Sequence, residues 1–179
     1  MPRTRHDVDR EEKVAQLVEA AIERMRQGGY EALSVAAISR DLGLAQNAVY
    51  WYFPTRDHLF VAAVDKMVSW MLANKPATGS MVDHVVWFVE RLDTSHGVIA
   101  SLYMRARVSP VVAEYQASFL QRRRALLLEI VASQSPLKDA EEVVSTLLCT
   151  IEGALLLGLG PEERERVIRR AFADLVGAA

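Results

Sequence analysis

The chain has 179 residues, 51% of them hydrophobic by type, with a net charge of −2; this suffices for one substantial core, or two small ones sharing a long helix. The slightly acidic balance excludes a protein that coats nucleic acid through a broad basic surface, so any DNA contact must be local and shaped. The single cysteine, Cys149, excludes an internal disulfide and a cysteine-built metal site, and the polar start Met1-Pro2-Arg3-Thr4 lacks an apolar leader, so the expected compartment is the reducing cytoplasm.

Taken in chain order, the punctuation predicts an all-α fold of about nine helices. The first runs from about Asp9 to Gln27, with Val14, Leu17, Val18, Ala21, Ile22 and Met25 on one stripe, and Gly28-Gly29 stops it. Ser34 caps a short second helix carrying Val35, Ile38 and Leu42, and a very short third follows Gly43. Phe53-Pro54 breaks the chain, and Thr55 caps a fourth helix reaching roughly Ala73. Ser80 with Asp83 has the spacing of a capping box for the fifth; Thr94 or Ser95 caps a sixth that ends before Pro110. Pro110 opens the seventh, closed by Ser135-Pro136, and Asp139 with Glu142 has capping spacing for the eighth. Gly158, Gly160 and Pro161 separate it from a ninth, which opens on Glu162-Glu163 and carries Arg169-Arg170 later, the charge order that a helix dipole favours.

The second and third helices carry the function. Two short helices joined by a tight turn let the second lie in the major groove while the first braces it. Gly43 supplies the turn, Ser39 is small enough for close approach, and Ile38, Leu42, Leu44 and Val49 supply buried contacts. Gln46 and Asn47 then fall on the exposed start of the third helix, where their amides can bond adenine edges in pairs. The run Tyr50-Trp51-Tyr52-Phe53 is too dense to be wholly buried: Phe53 is assigned to the core, while Tyr50, Tyr52, Arg56 and the start of the fourth helix can meet phosphates. Arg3 and Arg5 are assigned to a solvated tail, with reach into an adjacent minor groove as the alternative.

The stretch from Ser34-Val35-Ala36-Ala37-Ile38 through Gly43-Leu44-Ala45-Gln46-Asn47-Ala48-Val49-Tyr50-Trp51-Tyr52-Phe53-Pro54-Thr55-Arg56-Asp57 resembles the signature of the TetR family. With the first helix it covers about a third of the chain. The departures are Tyr52 where the family often has His, Arg56 where it often has Lys, and Ser39 where it often has Ala. The resemblance implies a dimeric repressor whose helical C-terminal domain binds a small molecule that releases the DNA. It divides the chain into residues 1–55 for DNA binding and 56–179 for effector and dimer. The DNA-contacting set is Ser34, Ala45, Gln46, Asn47, Tyr50, Trp51, Tyr52 and Arg56, with Gln46, Asn47 and Tyr50 at bases and Tyr52 and Arg56 at phosphates.

The eighth helix is apolar nearly all round, from Val143 to Leu157, so it needs cover on more than one side; Cys149 reads there as buried filler. The ninth presents Val167, Ile168, Ala171, Phe172 and Leu175, and the two helices from each of two copies (about 139–176) can form a four-helix interface. A central helix buried within one subunit is the alternative. The helices that enclose the effector in TetR-like proteins carry Met67, Trp70, Met71, Trp87, Phe88, Tyr103, Met104, Tyr115 and Phe119, most of them core and some lining an apolar cavity. Arg105, Asp83, Glu90 and His84 read as solvated, as does the run Arg122-Arg123-Arg124.

No catalytic residue, metal site or cofactor is expected: the histidines His6, His58, His84 and His96 lack metal-ligand spacing, and no glycine-rich phosphate loop occurs. Glu152 in the middle of the most apolar stretch argues against a membrane span. Two other readings remain open, a helical binding module whose helix-turn-helix engages protein and a metal-free hydrolase with an apolar pocket.

Overall fold

The computed structural model describes residues 5–93, 97–134 and 139–177. Among the described residues the chain forms nine helices and no strand: α1 Arg5–Ala32, α2 Val35–Asp41, α3 Gln46–Tyr52, α4 Arg56–Ala73, α5 Met81–Asp93, α6 Val98–Ala106, α7 Pro110–Gln134, α8 Ala140–Leu156 and α9 Pro161–Val176. They gather into two compact units. The first comprises Met1–Ala73 and Ser95–Ala113, the second Asn74–Thr94 and Glu114–Ala179. By packing, therefore, α4 and α6 belong with the helix-turn-helix.

In the first unit the predicted stripe of α1 buries Leu17, Val18, Ala21, Ile22 and Met25 against Leu59, Phe60, Ala63 and Val64 of α4 and Val98, Ile99 and Leu102 of α6. The glycine pair breaks the first helix as expected. Gly28 and Gly29 leave helical geometry, and one further turn follows, carrying Tyr30 and bringing Leu33 into the core. Gly29 has φ 62° and ψ −150°, a region essentially closed to side chains. Thr55 caps α4 as predicted, accepting from the His58 N–H at 3.3 Å.

In the second unit α5, α7, α8 and α9 share a core of Val86, Val89, Leu127, Val131, Val144, Leu147, Ile168 and Phe172. Ser80 and Asp83 form the predicted reciprocal box, with Ser80 N–H donating to Asp83 at 2.7 Å and Asp83 N–H to the Ser80 hydroxyl at 3.3 Å. The Ser80 hydroxyl and Arg169 add bonds that hold the Asp83 carboxyl down to about 2. Asp139 precedes α8, but its side chain makes no capping bond. Arg164, only 3% exposed, donates to the Leu159 carbonyl in the connection at 2.6 Å and weakly to that of Ala154 in the last turn of α8, so α9 ties down the end of α8. Arg169 and Arg170 lie in the middle of α9, bonded to Glu165 and Asp174 a turn away. The caps expected at Thr94 or Ser95, the stop at Ser135-Pro136 and the tail residue Arg3 lie outside the described residues.

Two expectations are corrected here. Cys149 is exposed, not buried filler: α8 buries Val144, Leu147, Ile151 and Ala154, and Cys149 faces the other way with Thr146 and Leu156. In a helix apolar all round, periodicity cannot choose which face is covered. The arginine run does not form one solvated face either. Arg123 pairs with Glu152, both side chains 13% exposed, while Arg124 bonds Glu141 and Ser145, and Arg122 lies over the Tyr115 ring.

Gly29→Ala is expected to lower stability by about 1–3 kcal/mol, since the backbone there must leave its present conformation or hold a strained one. The loss would appear as a lower urea midpoint, and an unchanged midpoint would contradict it.

Candidate nucleic-acid interface

The turn between α2 and α3 is built as its sequence requires. Gly43 takes φ 63°, and the Leu44 N–H reaches back to the Ser39 carbonyl at 2.8 Å. Ser39 is 3% exposed and returns its hydroxyl proton to the Val35 carbonyl at 2.8 Å, so a small polar residue fits the helix contact with no unmet bond. Ile38 and Val49 are wholly buried across this corner, while Leu42 and Leu44 are half-buried.

The outward face of α3 follows from that corner. Ala45 precedes the helix, and Gln46 and Asn47 form its exposed first turn. Tyr50 is 39% exposed, on the same face one turn on. Tyr52 is half-buried, its ring edge-on to Trp51 at 4.8 Å, and Phe53 is core as expected. Ser34 caps α2 by accepting the Ala37 N–H at 3.3 Å, which leaves its own proton to donate. Seven of the eight predicted contact residues thus gather on or beside α2 and α3, exposed or half-buried.

Arg56 is engaged elsewhere. Its guanidinium lies 3.9 Å from the Tyr30 ring centroid, donates to the Tyr30 carbonyl, and comes within 3.7 Å of Glu31. It braces the end of α1 against the start of α4. Nothing local in the sequence links Arg56 to Tyr30, 26 residues earlier.

Behind the helix-turn-helix lies a polar cluster that the sequence reading missed. The Asp57 carboxylate, 12% exposed, accepts the Tyr30 hydroxyl at 2.6 Å and Arg105 through Nε at 3.2 Å and Nη2 at 2.7 Å. Burial alone would raise this carboxyl, but hydrogen bonds from Arg105, Tyr30 and Ser109 outweigh it and hold the group below its ordinary range. Burial and the bond to Asp57 push the Tyr30 hydroxyl up to about 12. Arg105, expected to be solvated, instead ties α6 to α4 and lies 5.0 Å from the Tyr30 ring centroid. In sequence Asp57 reads as an ordinary helix-start acid, and nothing local links it to residue 105.

The nine residues expected around an effector fall in both units: Met67, Trp70, Met71, Tyr103 and Met104 in the first, Trp87, Phe88, Tyr115 and Phe119 in the second. Met71, Tyr115 and Phe119 are buried, whereas Trp70 and Met104 are more than half exposed. Tyr115 stacks on Phe119, with ring centroids 6.2 Å apart. Among the described residues no cluster of three or more histidine, cysteine or acidic side chains could hold a metal ion, and no helix is long and apolar enough to cross a membrane.

Residues 17–63, the segment holding this corner, match the family model described as bacterial regulatory proteins, tetR family. The helix-turn-helix corner therefore lies in a segment similar to the TetR family. Over 147 residues it is 22% identical to an HTH-type transcriptional repressor of Mycobacterium tuberculosis, an alignment covering 79% of this chain and 55% of that protein. The chain thus spans about half the length of the curated relatives it matches. A transcriptional regulator from Rhodococcus sp. Rha1 superposes with a TM-score of 0.75 at 23% identity, over 92% of this chain and 96% of that one. A regulator from Saccharomonospora viridis, solved in complex with choline, gives 0.73 at 15% identity over 92% and 96%. The all-helical fold expected from the sequence is the fold of these regulators.

Replacing the carboxylate by an amide removes its charge and turns one acceptor oxygen into a donor facing Arg105 or the Tyr30 hydroxyl, so Asp57→Asn is expected to cost about 2–3 kcal/mol in urea unfolding. Arg105→Met in that background should recover part of the loss, and strictly additive losses would mean that the two do not interact. The pH dependence follows from the two shifts. Tyr30, raised in the folded chain, contributes below about pH 10, the unfolded tyrosine value, and that contribution is lost as pH rises through about 12. Asp57, depressed, contributes above its ordinary value of 3.8, and that contribution is lost at lower pH. Tyr30→Phe should remove the tyrosine part of the alkaline loss; an unaltered alkaline limb in that variant would contradict the assignment.

Proposed function

We propose that the chain is a sequence-specific DNA-binding transcriptional regulator, a homodimer that represses by occupying an operator and leaves it when a small molecule binds. The observation that carries this reading is the first turn of α3, where the Gly43 corner holds Gln46 and Asn47 outward with Tyr50 one turn behind. Asparagine and glutamine there can each bond an adenine edge through two hydrogen bonds, worth about 1–3 kcal/mol of discrimination per pair. Tyr50 abuts the bases behind them, and Ser34 and Tyr52 flank that turn and serve phosphate. Arg56 then acts from behind, fixing the start of α4, in place of a direct phosphate contact.

Repression and release rest on the family and its relatives. A repressor is among the relatives, and a structural neighbour carries choline. The effector in this reading binds in the part of the chain from residue 56 onward, and the protein works in the cytoplasm beside the DNA. Catalysis has no part in it.

The dimer is assigned to α8 and α9. In a single chain α8 leaves Thr146, Cys149, Leu156 and Leu157 exposed, the last at 77%, and α9 adds Val167. Gly153 lies on that side of α8, and a Cβ built there meets nothing within 4 Å. A second copy packed on this face would fill the space.

Fluorescence anisotropy with a fragment of the gene's own promoter is expected to give tight binding that weakens steeply with salt. Asn47→Ala should lose about tenfold or more on the operator and little on unrelated DNA. No binding by the parent protein at low salt would overturn the reading. If α8 forms the dimer face, Gly153→Leu should leave the single chain as stable as before, since leucine favours helix over glycine, while raising the dimer dissociation constant at least tenfold in sedimentation. Unchanged dimerisation would move the interface elsewhere. With the dimer formed, the two half-sites are expected about 34–36 Å apart, one turn of DNA, in a footprint.

A further inference from the structure

Trp51 is 64% exposed on α3. A large apolar ring left in water on a binding face calls for a use. Its edge contact with Tyr52 occupies one side, and the guanidinium of Arg10 lies 5.5 Å from its centroid. Arg10 comes from α1, far from α3 in sequence. It continues the stripe of Val14, Leu17 and Ala21 at helical spacing, so it stands where that stripe runs past the end of the core, and its next neighbour is the indole of the recognition helix.

We infer that Arg10 is a DNA-backbone contact of this protein, held beside the recognition helix by the face of Trp51. The inference rests on the DNA-binding reading above and adds a residue to it. Residues 1–56 hold eight Lys or Arg (Arg3, Arg5, Arg10, Lys13, Arg24, Arg26, Arg40, Arg56) and eight acids (Asp7, Asp9, Glu11, Glu12, Glu19, Glu23, Glu31, Asp41), so the segment offers no general attraction to phosphate. Several of the cations are committed within the protein: Arg24 to Asp41, Arg26 to Glu23, and Arg56 to the Tyr30 carbonyl and Glu31. Lys13 bonds Gln16 at 2.9 Å. Arg10 is different in kind. A guanidinium stacked on an aromatic face keeps the N–H groups along its edge, the geometry that grips a phosphate through two hydrogen bonds. The stack also removes rotamer freedom before DNA arrives, so less is lost on binding.

The test is an anisotropy titration of the promoter fragment over a salt series, with the full-length parent, Arg10→Gln, Arg10→Lys, Trp51→Ala, Trp51→Phe and the double variant Arg10→Gln/Trp51→Ala, each first shown by circular dichroism to melt as the parent does. Arg10→Gln should bind about tenfold more weakly near 0.1 M salt. Its plot of log affinity against log salt should be shallower by about 0.9 per protomer, the loss of one neutralised phosphate. Arg10→Lys should keep the slope and lose part of the affinity, and Trp51→Phe should keep most of both. Trp51→Ala should resemble Arg10→Gln, and the double variant should be little worse than either, because one removes what the other holds. If the parent binds and Arg10→Gln matches it in affinity and slope, the inference falls while the DNA-binding reading stands. If Trp51→Ala weakens binding with the slope unchanged and the double variant is additive, Trp51 meets DNA on its own and the bracing is overturned. A parent that fails to bind at low salt overturns both.

Discussion

The first unit depends on a carboxylate that has been taken out of water. Asp57 stands at the start of α4 with almost no exposure, and an unpaired charge there would be very costly. Its partners come from three places in the chain: Tyr30 at the end of α1, Arg105 on α6 and Ser109 just beyond it. Satisfying that one group therefore fixes where α1 ends, where α4 begins and where α6 lies. The Gly28-Gly29 departure makes it possible, because only a break in α1 followed by one more turn swings the Tyr30 ring over Phe60, with centroids 5.0 Å apart, and its hydroxyl onto Asp57. Arg56, the neighbouring residue, closes the same corner over the Tyr30 ring.

That frame decides what the helix-turn-helix can present. α2 and α3 are seven residues each and cannot hold their own orientation. They borrow it from Val35, Ile38, Val49 and Phe53, which sink into the core that α1 and α4 build. Because the segment up to Arg56 is formally neutral, recognition in this reading rests on shape and on a few placed groups. Two of the aromatics that looked redundant in sequence separate into different tasks: Phe53 packs, and Trp51 carries a cation from α1.

What the sequence disclosed was local. The caps at Ser34, Thr55 and Ser80, the turn at Gly43 and the exposed amides Gln46 and Asn47 all follow from residues within four positions of one another, and each lies where its spacing said. What it concealed was tertiary. Arg105 and Arg123 looked like solvent-facing charges because their partners, Asp57 and Glu152, are 48 and 29 residues away. Cys149 looked buried because an apolar helix gives no hint of which side a single chain leaves open. The phosphate role expected of Arg56 came from its place after the aromatic run, whereas its side chain answers to the turn that Gly29 creates.

A crystal structure of the protein bound to its operator tests the central claim most directly, because it reports the Asp57 cluster and the DNA contacts together. The expected result keeps Asp57 bonded to Tyr30 and Arg105, Arg56 over the Tyr30 ring, and Gln46 and Asn47 in the major groove. The contradicting result would have the cluster broken with Arg56 swung out to a phosphate, or α3 lying outside the groove, so that the buried carboxylate played no part in presenting the recognition helix.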